Sequence, residues 1–284
     1  MVVKEYESAQ SFLDQYQELM LMREAVSQLI LHNANQNINA TASEKCLFGA
    51  VLEDDTAILL FCNVAPNNLI IYDASKDNLS AASVALADYI NENQITIAGI
   101  NAKNEICQSF MEQYKKVINC NFVERTEMDI MEVRKLIDIK PIDGKHRLAA
   151  PDEAKLITDW LIRFKTEALA IEMDYEAALI QIMKLIEEQK VYVYEKPEGK
   201  LVTMAIAIRQ LIHGIAINYV YTPEEFRGKG YAAANIYYMC KNYLENGNDF
   251  CSLFVDKKNP LSARSYEKIG FQFLEDNYEY AILI

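Results

Sequence analysis

The sequence has no apolar run that approaches about 18 residues, and it therefore predicts no transmembrane helix. Its first residues, MVVKEYESAQ, lack the basic-then-apolar order of a secretory signal peptide. Hydrophobic residues still make up 51% of the chain and charged residues 24%, which is typical of a folded globular protein. We therefore expect a cytoplasmic protein with no membrane partner.

Cysteine and histidine are scarce and widely spaced. The six cysteines include no C-x-x-C pair, so we expect reduced core thiols rather than a set of disulfides. The three histidines lack the spacing of metal ligands, so we expect no structural zinc and no other metal site. These residues are Cys46, Cys62, Cys107, Cys120, Cys240, Cys251, His32, His146 and His213.

Positive charge is also in short supply. The chain has 28 Lys and Arg against 41 Asp and Glu, which gives a formal net charge of −13. Nucleic-acid binding depends on neutralising phosphates with an excess of cations, so this balance argues against a nucleic-acid partner. An acidic chain of this kind favours small cationic substrates.

The length of 284 residues allows about two domains of ~150 residues each. The best linker is Asp138–Lys145, which contains Pro141 and Gly144, and it predicts domains at 1–140 and 145–284. Helical and strand periodicity alternate in both halves, which predicts an α/β (α+β) fold.

Both halves show the same order of predicted elements: strand, helix, strand, helix, strands. The segments are Leu69–Tyr72, Ser80–Asn91, Ile95–Ile100, Lys103–Val117 and Phe122–Leu136, then Ile215–Tyr221, Tyr231–Glu245, Phe250–Val255, Pro260–Ile269 and a terminal strand pair in Phe271–Ile284. The repetition indicates a degenerate internal duplication, although an α/β chain also produces such an order by chance. Before the first set, Gln10–Asn33 has the period of one long amphipathic helix or of a helix pair.

Glycine is rare, with nine residues, and two of them lie within three positions at Gly228 and Gly230. They follow an apolar strand that ends at Tyr221 and precede a helix that starts at Tyr231. Glycines at such a turn allow successive amide N–H groups to converge, and together with the helix dipole these amides bind a pyrophosphate. The turn has neither the Walker pattern nor the three-glycine dinucleotide fingerprint, and an ordinary turn with basic flanks is the alternative.

Two sequence blocks carry a resemblance to a known family. The residues R-G-K-G-Y-A at 227–232 fit the Q/R-x-x-G-x-G/A pyrophosphate loop of the GNAT acetyltransferase superfamily. The residues N-P-L-S-A-R-S-Y-E-K-I-G-F at 259–271 resemble its N-P-x-S-x-x-x-Y-x-x-x-G-F/Y segment. The chain from about residue 145 to 284 resembles a bacterial branch of predicted acetyltransferases and is similar to glycine N-acyltransferases.

The resemblance implies a GNAT fold with a splayed mixed sheet, in which the strand ending at Tyr221 separates from the strand that begins near Phe250. Acetyl-CoA would be the cosubstrate, with its pantetheine arm along the backbone of Val220 and Thr222. The residues that the resemblance implies for binding acetyl-CoA are Val220, Tyr221, Thr222, Arg227, Gly228, Lys229, Gly230, Tyr231, Ala232, Asn259, Ser262 and Tyr266.

The same resemblance implies the catalytic groups. Tyr266 would direct its hydroxyl at the thioester sulfur and protonate the departing thiolate. Glu167 would lie over the acceptor and take a proton from the amine, and an exposed helix-end carboxylate is the alternative reading of this residue. Glu172 and Asp174 are further candidates for the base.

We therefore expect an acetyl-CoA-dependent N-acetyltransferase that acts on a primary amine of a small molecule by direct attack in a ternary complex. The alternatives are an amino-acid (glycine-type) N-acyltransferase and a non-catalytic CoA-binding module. In the first half, Tyr72–Leu79 holds the place of the phosphate loop but has no glycine, and Asp73 and Asp77 would repel an anion. Residues 1–140 are thus predicted to be a degenerate GNAT-like domain that binds no cofactor, in a monomer or homodimer.

Overall fold

The computed structural model describes residues 1–40, 46–169 and 171–283. The helices are α1 (Ala9–Leu21), α2 (Glu24–Gln36), α3 (Leu79–Glu92), α4 (Asn104–Tyr114), α5 (Ala154–Leu169), α6 (Tyr175–Glu187), α7 (Tyr231–Glu245) and α8 (Pro260–Glu267). The strands are β1 (Val2–Glu5), β2 (Cys46–Glu53), β3 (Thr56–Val64), β4 (Leu69–Asp73), β5 (Gly99–Ala102), β6 (Asn121–Val133), β7 (Lys145–Leu148), β8 (Val191–Glu195), β9 (Leu201–Gln210), β10 (Gly214–Tyr221), β11 (Phe250–Asp256) and β12 (Gln272–Leu283).

The chain forms two compact units. Unit 1 contains the described residues of 1–128 and 275–284, and unit 2 contains those of 129–274. The chain enters unit 2 within β6 and leaves it within β12, so unit 1 takes its last strand from the C-terminal segment. The assignment of residues 1–140 and 145–284 as domains stays a prediction.

Unit 1 is a sheet with helices on both faces. Its strand order is β1-β2-β3-β4-β5-β12. Strand β3 is buried on both sides: Leu59 and Phe61 pack with α3 and α4, whereas Leu60 and Cys62 pack with α1 and α2. This alternation follows from the two-residue period of a strand and places two helices on each face.

Unit 2 has the same layered plan, with the strand order β6-β11-β10-β9-β8-β7. Met204 and Ile206 of β9 face α5 and α6, and the alternate residues Ala205 and Ala207 face α7 and α8. Strands β10 and β11 run parallel, whereas β7, β8, β9 and β10 pair antiparallel in succession. Unit 2 therefore contains a mixed sheet between two helical layers, as the sequence predicts.

The two parallel strands of unit 2 separate before they end. Their paired positions run from Gly214 opposite Phe250 to Ile217 opposite Leu253. Strand β10 continues to Tyr221, with a register shift against β9 between Asn218 and Tyr221. Such a bulge bends the strand and increases its twist, which moves its last residues away from β11. The predicted splay is thus present.

The equivalent strands of unit 1 also separate early, since β4 and β5 pair only through Leu69 and Ile70 in the described residues. Three amides of the turn that follows β4 are in use: Ala74 and Ser75 both donate to the carbonyl of Ile58, and Asp77 donates to the hydroxyl of Ser75. These three amides are not available to an anion.

Charged side chains occupy the end of this turn. Arg23, at the α1–α2 junction, bonds the buried Asp73 at 3.0 Å and also binds Glu275 of β12. The ammonium of Lys103 lies 3.8 Å from the second oxygen of Asp73. Burial and the neighbouring Asp73 carboxylate raise the pKa of Glu275 to about 7, against the opposing effect of Arg23 and Lys103.

Several elements differ from the prediction. The segment 10–33 is a helix pair, which the sequence left open. The strand predicted at Ile95–Ile100 begins only at Gly99, and the terminal strand pair predicted in Phe271–Ile284 is one strand, β12. That strand is continuous because its residues 278–281 pair antiparallel with β5, which holds this part of the chain extended. Strands β1 and β7 were not predicted.

Within the described residues, no helix combines the length and apolar character that a membrane span requires. The same residues hold no group of His, Cys, Asp and Glu side chains with the geometry of a metal site.

Candidate active site

The end of β10 is held in a defined conformation. Tyr219 has a φ of 51°, a left-handed conformation that is rare for an aromatic residue and that accompanies the bulge. The bulge places Tyr219 and Tyr221 against the α5–α6 layer and Val220 against the α7 layer. The hydroxyl of Thr203 donates to the carbonyl of Tyr221 at 2.8 Å, and the hydroxyl of Thr222 donates to that of Thr203 at 2.8 Å.

The turn between β10 and α7 has the geometry of an anion site. Gly228 and Gly230 have φ values of 74° and 83°, which residues with a side chain rarely adopt. Gly230 is the N-cap of α7 and provides no side-chain cap. The amides from Gly228 to Ala233 have no hydrogen-bond acceptor among the described residues. Unpaired amides at the positive end of a 15-residue helix favour a phosphate.

Two cations flank this turn. Arg227 donates from Nε to the carbonyl of Thr222 at 2.8 Å, and its guanidinium carbon lies 5.7 Å from the centroid of the Tyr221 ring. Lys229 donates to the carbonyl of Glu225 at 2.8 Å. Both side chains are exposed, so the positive charge of the turn is accessible to an anionic ligand.

Glu167, in the last turn of α5, joins that helix to the turn. Its Oε2 accepts from Arg227 at 2.6 Å, and its Oε1 accepts from the hydroxyl of Tyr221 at 3.0 Å. Burial raises the pKa of Glu167, but the hydrogen bonds from Arg227 and Tyr221 and the charge of Arg227 lower it by more, and the net pKa is below its usual value. The carboxylate is therefore ionised at neutral pH, and with 49% of its side chain exposed it is open to solvent.

Tyr266, in the last turn of α8, has a buried ring and an unpaired hydroxyl. The ring lies 5.8 Å from that of Phe271, and the residue is 7% exposed. Its hydroxyl forms no hydrogen bond with any described residue. Burial, with a smaller effect of Cys240, raises the pKa of Tyr266 well above its ordinary value. The phenol stays protonated at neutral pH and can act as a donor.

Asn259 and Ser262 define the start of α8. Asn259 is the N-cap, and its Oδ1 accepts from the amide of Ser262 at 3.3 Å. Pro260 follows at the first helical position, where a missing N–H costs nothing. The oxygen of Asn259 therefore stabilises the helix, and the residue is exposed.

The structure divides the predicted site residues into two groups. Glu167, Tyr221, Thr222 and Arg227 are joined directly by hydrogen bonds. The α8 residues Asn259, Ser262 and Tyr266 have no hydrogen bond or ion pair to that group within the described residues. Tyr221 packs with α5 and α6, whereas Tyr266 packs with α7 and Phe271, so the groups lie on opposite faces of the splayed sheet.

Sequence reasoning missed three residues around the site: Thr203, Arg163 and Lys165. Thr203 anchors the strand end, as described above. The ammonium of Lys165 lies 5.0 Å from the centroid of the Tyr219 ring. Burial and Glu167 raise the pKa of Tyr221, and Arg163 opposes that rise. The charged residues Arg163, Lys165 and Glu167 lie near one predicted helix end, but the sequence does not show which tyrosines they contact.

The chain is similar to known acetyltransferases in part of its sequence and in its fold. Residues 154–271 match the acetyltransferase (GNAT) family. An acetyltransferase of the GNAT family from Colwellia psychrerythraea aligns over 100% of both chains, with a TM-score of 0.58 and 13% identity. A Drosophila protein aligns over 99% of this chain and 98% of its own, with a TM-score of 0.61 and 13% identity. A GCN5-related N-acetyltransferase from Sphaerobacter thermophilus aligns over 84% and 80%, with a TM-score of 0.54 and 13% identity.

No curated protein matches the chain in sequence. The structural likenesses show the fold, a mixed α/β GNAT fold that extends over both units.

Proposed function

Because residues 154–271 form an acetyltransferase domain of the GNAT family, we propose that the chain is an acetyl-CoA-dependent N-acetyltransferase of small primary amines. The observation that carries the proposal is the set of unpaired amides from Gly228 to Ala233, beside the gap between β10 and β11. Bound there, acetyl-CoA supplies an activated thioester. The residues of unit 2 bind it, orient the reactants and move protons.

The proposed binding residues suit two parts of coenzyme A, the pyrophosphate and the pantetheine arm. The amides of 228–233 and the side chains of Arg227 and Lys229 would hold the pyrophosphate. The edge of β10 that faces β11 has no strand partner beyond Ile217 in the described residues, so the backbone of Val220 and Thr222 would pair with the pantetheine amides there. The Thr222 carbonyl also accepts from Arg227. The same edge offers N–H donors to a carbonyl oxygen that gains negative charge during acyl transfer.

The proposed catalytic groups act from the two faces of the sheet. Attack by the amine nitrogen forms the C–N bond and breaks the C–S bond. On the α5 face, the ionised Glu167 would accept the proton that the amine loses, directly or through water. On the α8 face, the protonated Tyr266 would give its proton to the departing sulfur. Transfer is direct, without a covalent enzyme intermediate.

Acyl-CoA consumption tests the proposal. Wild-type protein would be incubated with acetyl-CoA and a panel of amines that includes polyamines, amino acids, aminoglycosides and peptide N-termini, and free thiol would be measured. We expect amine-dependent thiol release with acetyl-CoA. Preference for longer acyl- or aryl-CoA donors would favour a different acyltransferase, and binding of acetyl-CoA without turnover of any amine would favour a non-catalytic CoA-binding module.

We also propose that the reaction takes place in the cytoplasm. None of the six cysteines, all of which lie in the described residues, forms a disulfide, and five of them are buried. Thiols of this kind suit a reducing compartment.

A further inference from the structure

The segment Asp138–Lys145, for which the sequence predicts a linker, packs against helix α7 of unit 2. At its start, Oδ1 of Asp138 accepts a hydrogen bond from the hydroxyl of Tyr237, at 2.8 Å. Further along the segment, Ile142 packs into the apolar cluster that contains Tyr231, the first residue of that helix. Between these two contacts the segment follows α7 from its middle to its N-terminus, where the turn from β10 lies.

Ile142 lies directly against the N-cap of α7. A side-chain carbon at Gly230 would lie 2.9 Å from Cδ1 of Ile142, so the isoleucine takes up the space that a side chain would need there. Gly228 differs, because a side-chain carbon at that position would meet no atom within 4 Å. The segment therefore covers the turn at Gly230 and leaves it open to a ligand at Gly228.

The backbone of Ile142 is fixed by Tyr194 of β8. The Tyr194 hydroxyl donates to the carbonyl of Ile142 at 2.8 Å, and the residue is buried. The same ring lies 6.0 Å from the ring of Tyr231 at the start of α7. Gly144 permits this approach, because a side-chain carbon there would lie 2.5 Å from the carbonyl oxygen of Glu195 and 2.7 Å from the Tyr194 ring. One buried tyrosine thus contacts both the segment and the start of the helix.

A glycine at the N-cap needs support from outside the turn to keep one conformation. Gly230 has a φ of 83°, and glycine adopts several other backbone conformations at little cost. A turn that samples those conformations binds its ligand more weakly, in proportion to the fraction of molecules in the binding conformation. A side chain packed against the glycine restricts the alternatives, and holding a loop in its bound conformation raises affinity.

We propose that Ile142 is a positioning residue of the cofactor site: held by Tyr194, it keeps Gly230 and the first amides of α7 in the conformation that binds pyrophosphate. The inference rests on the proposed function and deepens it, because it adds a residue that lies outside both sequence blocks of the family resemblance. The segment that joins β6 to β7 is thus part of the cofactor site of unit 2 and not only a connection.

The test measures acetyl-CoA affinity by isothermal titration calorimetry, and kcat at saturating acetyl-CoA with an amine that the panel identifies. Ile142→Ala removes the contact with Gly230, and we expect the dissociation constant of acetyl-CoA to rise about 10-fold. The kcat should stay within about 2-fold of wild type, because saturating acetyl-CoA selects the binding conformation of the turn. Ile142→Leu keeps an apolar side chain of the same size and should retain most of the affinity.

Tyr194→Phe tests the same role by a smaller change, because it keeps the buried ring and removes the hydrogen bond to the Ile142 carbonyl. We expect acetyl-CoA affinity to fall roughly 3-fold or more. Tyr192→Phe is the matched control. Tyr192 lies two residues away on the same strand, and its hydroxyl bonds that of Tyr243 at 3.3 Å, so acetyl-CoA affinity should stay as in wild type.

Ile186→Ala is the control for lost stability, since Ile186 is buried in the α5–α6 layer of the same unit. It should lower the melting temperature and leave acetyl-CoA affinity unchanged. If Ile142→Ala does not fold, Tyr194→Phe decides alone. Wild-type affinity in the folded Ile142→Ala and Tyr194→Phe proteins, or an equal loss in Ile186→Ala, would overturn this inference and leave the proposed function standing. Absence of acetyl-CoA binding by wild type would overturn the proposed function and this inference with it.

Discussion

Arg227 in the glycine turn donates a 2.6 Å hydrogen bond to Glu167 at the end of helix α5. This bond connects the residues proposed to bind pyrophosphate with the carboxylate proposed to receive the proton of the amine. The guanidinium lowers the pKa of Glu167, so a ligand that draws Arg227 away would let that pKa rise towards its ordinary value.

Removal of the Glu167 charge should reduce turnover more than cofactor binding. Glu167→Gln keeps an oxygen that accepts from Tyr221 but cannot take a proton, and we expect kcat/KM for the amine to fall by ~10²-fold. The dissociation constant of acetyl-CoA should change by less than about 3-fold, since the turn amides are untouched.

The exposed Glu187→Gln is the control for this variant and should behave as wild type in both assays. Equal losses in acetyl-CoA affinity and in turnover for Glu167→Gln would show instead that Glu167 only holds Arg227 in place.

The hydroxyl of Tyr266 should matter for catalysis and not for folding. It has no hydrogen-bond partner in the described chain, so Tyr266→Phe removes no internal bond and keeps the buried ring. We expect kcat to fall by ~10²-fold or more with an unchanged melting temperature. Tyr237→Phe is the control for kcat, because Tyr237 has the same 7% exposure and lies on helix α7. It removes the hydrogen bond of Tyr237 to Asp138, so only its kcat, and not its melting temperature, is compared. A Tyr266→Phe enzyme with wild-type kcat would mean that the thiolate leaves unaided or that water protonates it.

The Glu275 carboxylate should make stability depend on pH in an unusual direction. Its folded-state pKa of about 7 lies above the unfolded value of 4.5, so the folded protein binds the extra proton between those values. The contribution of Glu275 to the free energy of unfolding is fully present below about pH 4.5. It is lost as pH rises to about 7, by up to about 1.4 kcal/mol per pH unit.

Urea unfolding at pH 5, 6, 7 and 8 would measure this effect as the difference between wild type and Glu275→Gln. We expect the free energy of unfolding of wild type to fall relative to that of Glu275→Gln as pH rises to about 7, and then to level off. The exposed Glu112→Gln should show no such trend relative to wild type. A pH-independent difference would contradict the raised pKa.

Each chain should bind one acetyl-CoA and not two. The turn after β4 in unit 1 repeats the position of the glycine turn, but it has no glycine, its Ala74 and Ser75 amides already donate to Ile58, and the buried acidic residue Asp73 lies at its start. Calorimetric titration should therefore give a stoichiometry near one per chain. A stoichiometry near two would show that unit 1 also binds.

The sequence predicted the elements whose signals are local. Helix α7 begins and ends where its apolar period and the preceding glycines place it, because both signals lie within the segment. The order of strands and helices around the glycine turn is likewise confirmed. The turn itself was found because two of nine glycines lie there.

The features that escaped prediction depend on distant partners. Strand β12 continues past Asn277 because it pairs with β5, far away in the chain. The charged surface of the α5 face arises only when the end of α5 meets Tyr219 and Tyr221 of β10. The left-handed backbone of Tyr219 depends on a bulge against β9, for which a tyrosine in an apolar strand gives no signal.

The proposed function depends on the glycine turn as the pyrophosphate site. The acetyl-CoA affinities of two matched variants test this role most directly. Gly228 and Gly199 both have positive φ values, 74° and 81°, and a side chain at either position would meet no atom within 4 Å. Gly228→Asp and Gly199→Asp thus impose similar backbone strain, but only the first puts a carboxylate among the proposed pyrophosphate donors. By isothermal titration calorimetry, we expect Gly199→Asp to bind acetyl-CoA like wild type and Gly228→Asp to bind ~10²-fold more weakly or not at all. Wild-type affinity in a folded Gly228→Asp protein would contradict the assignment of the site.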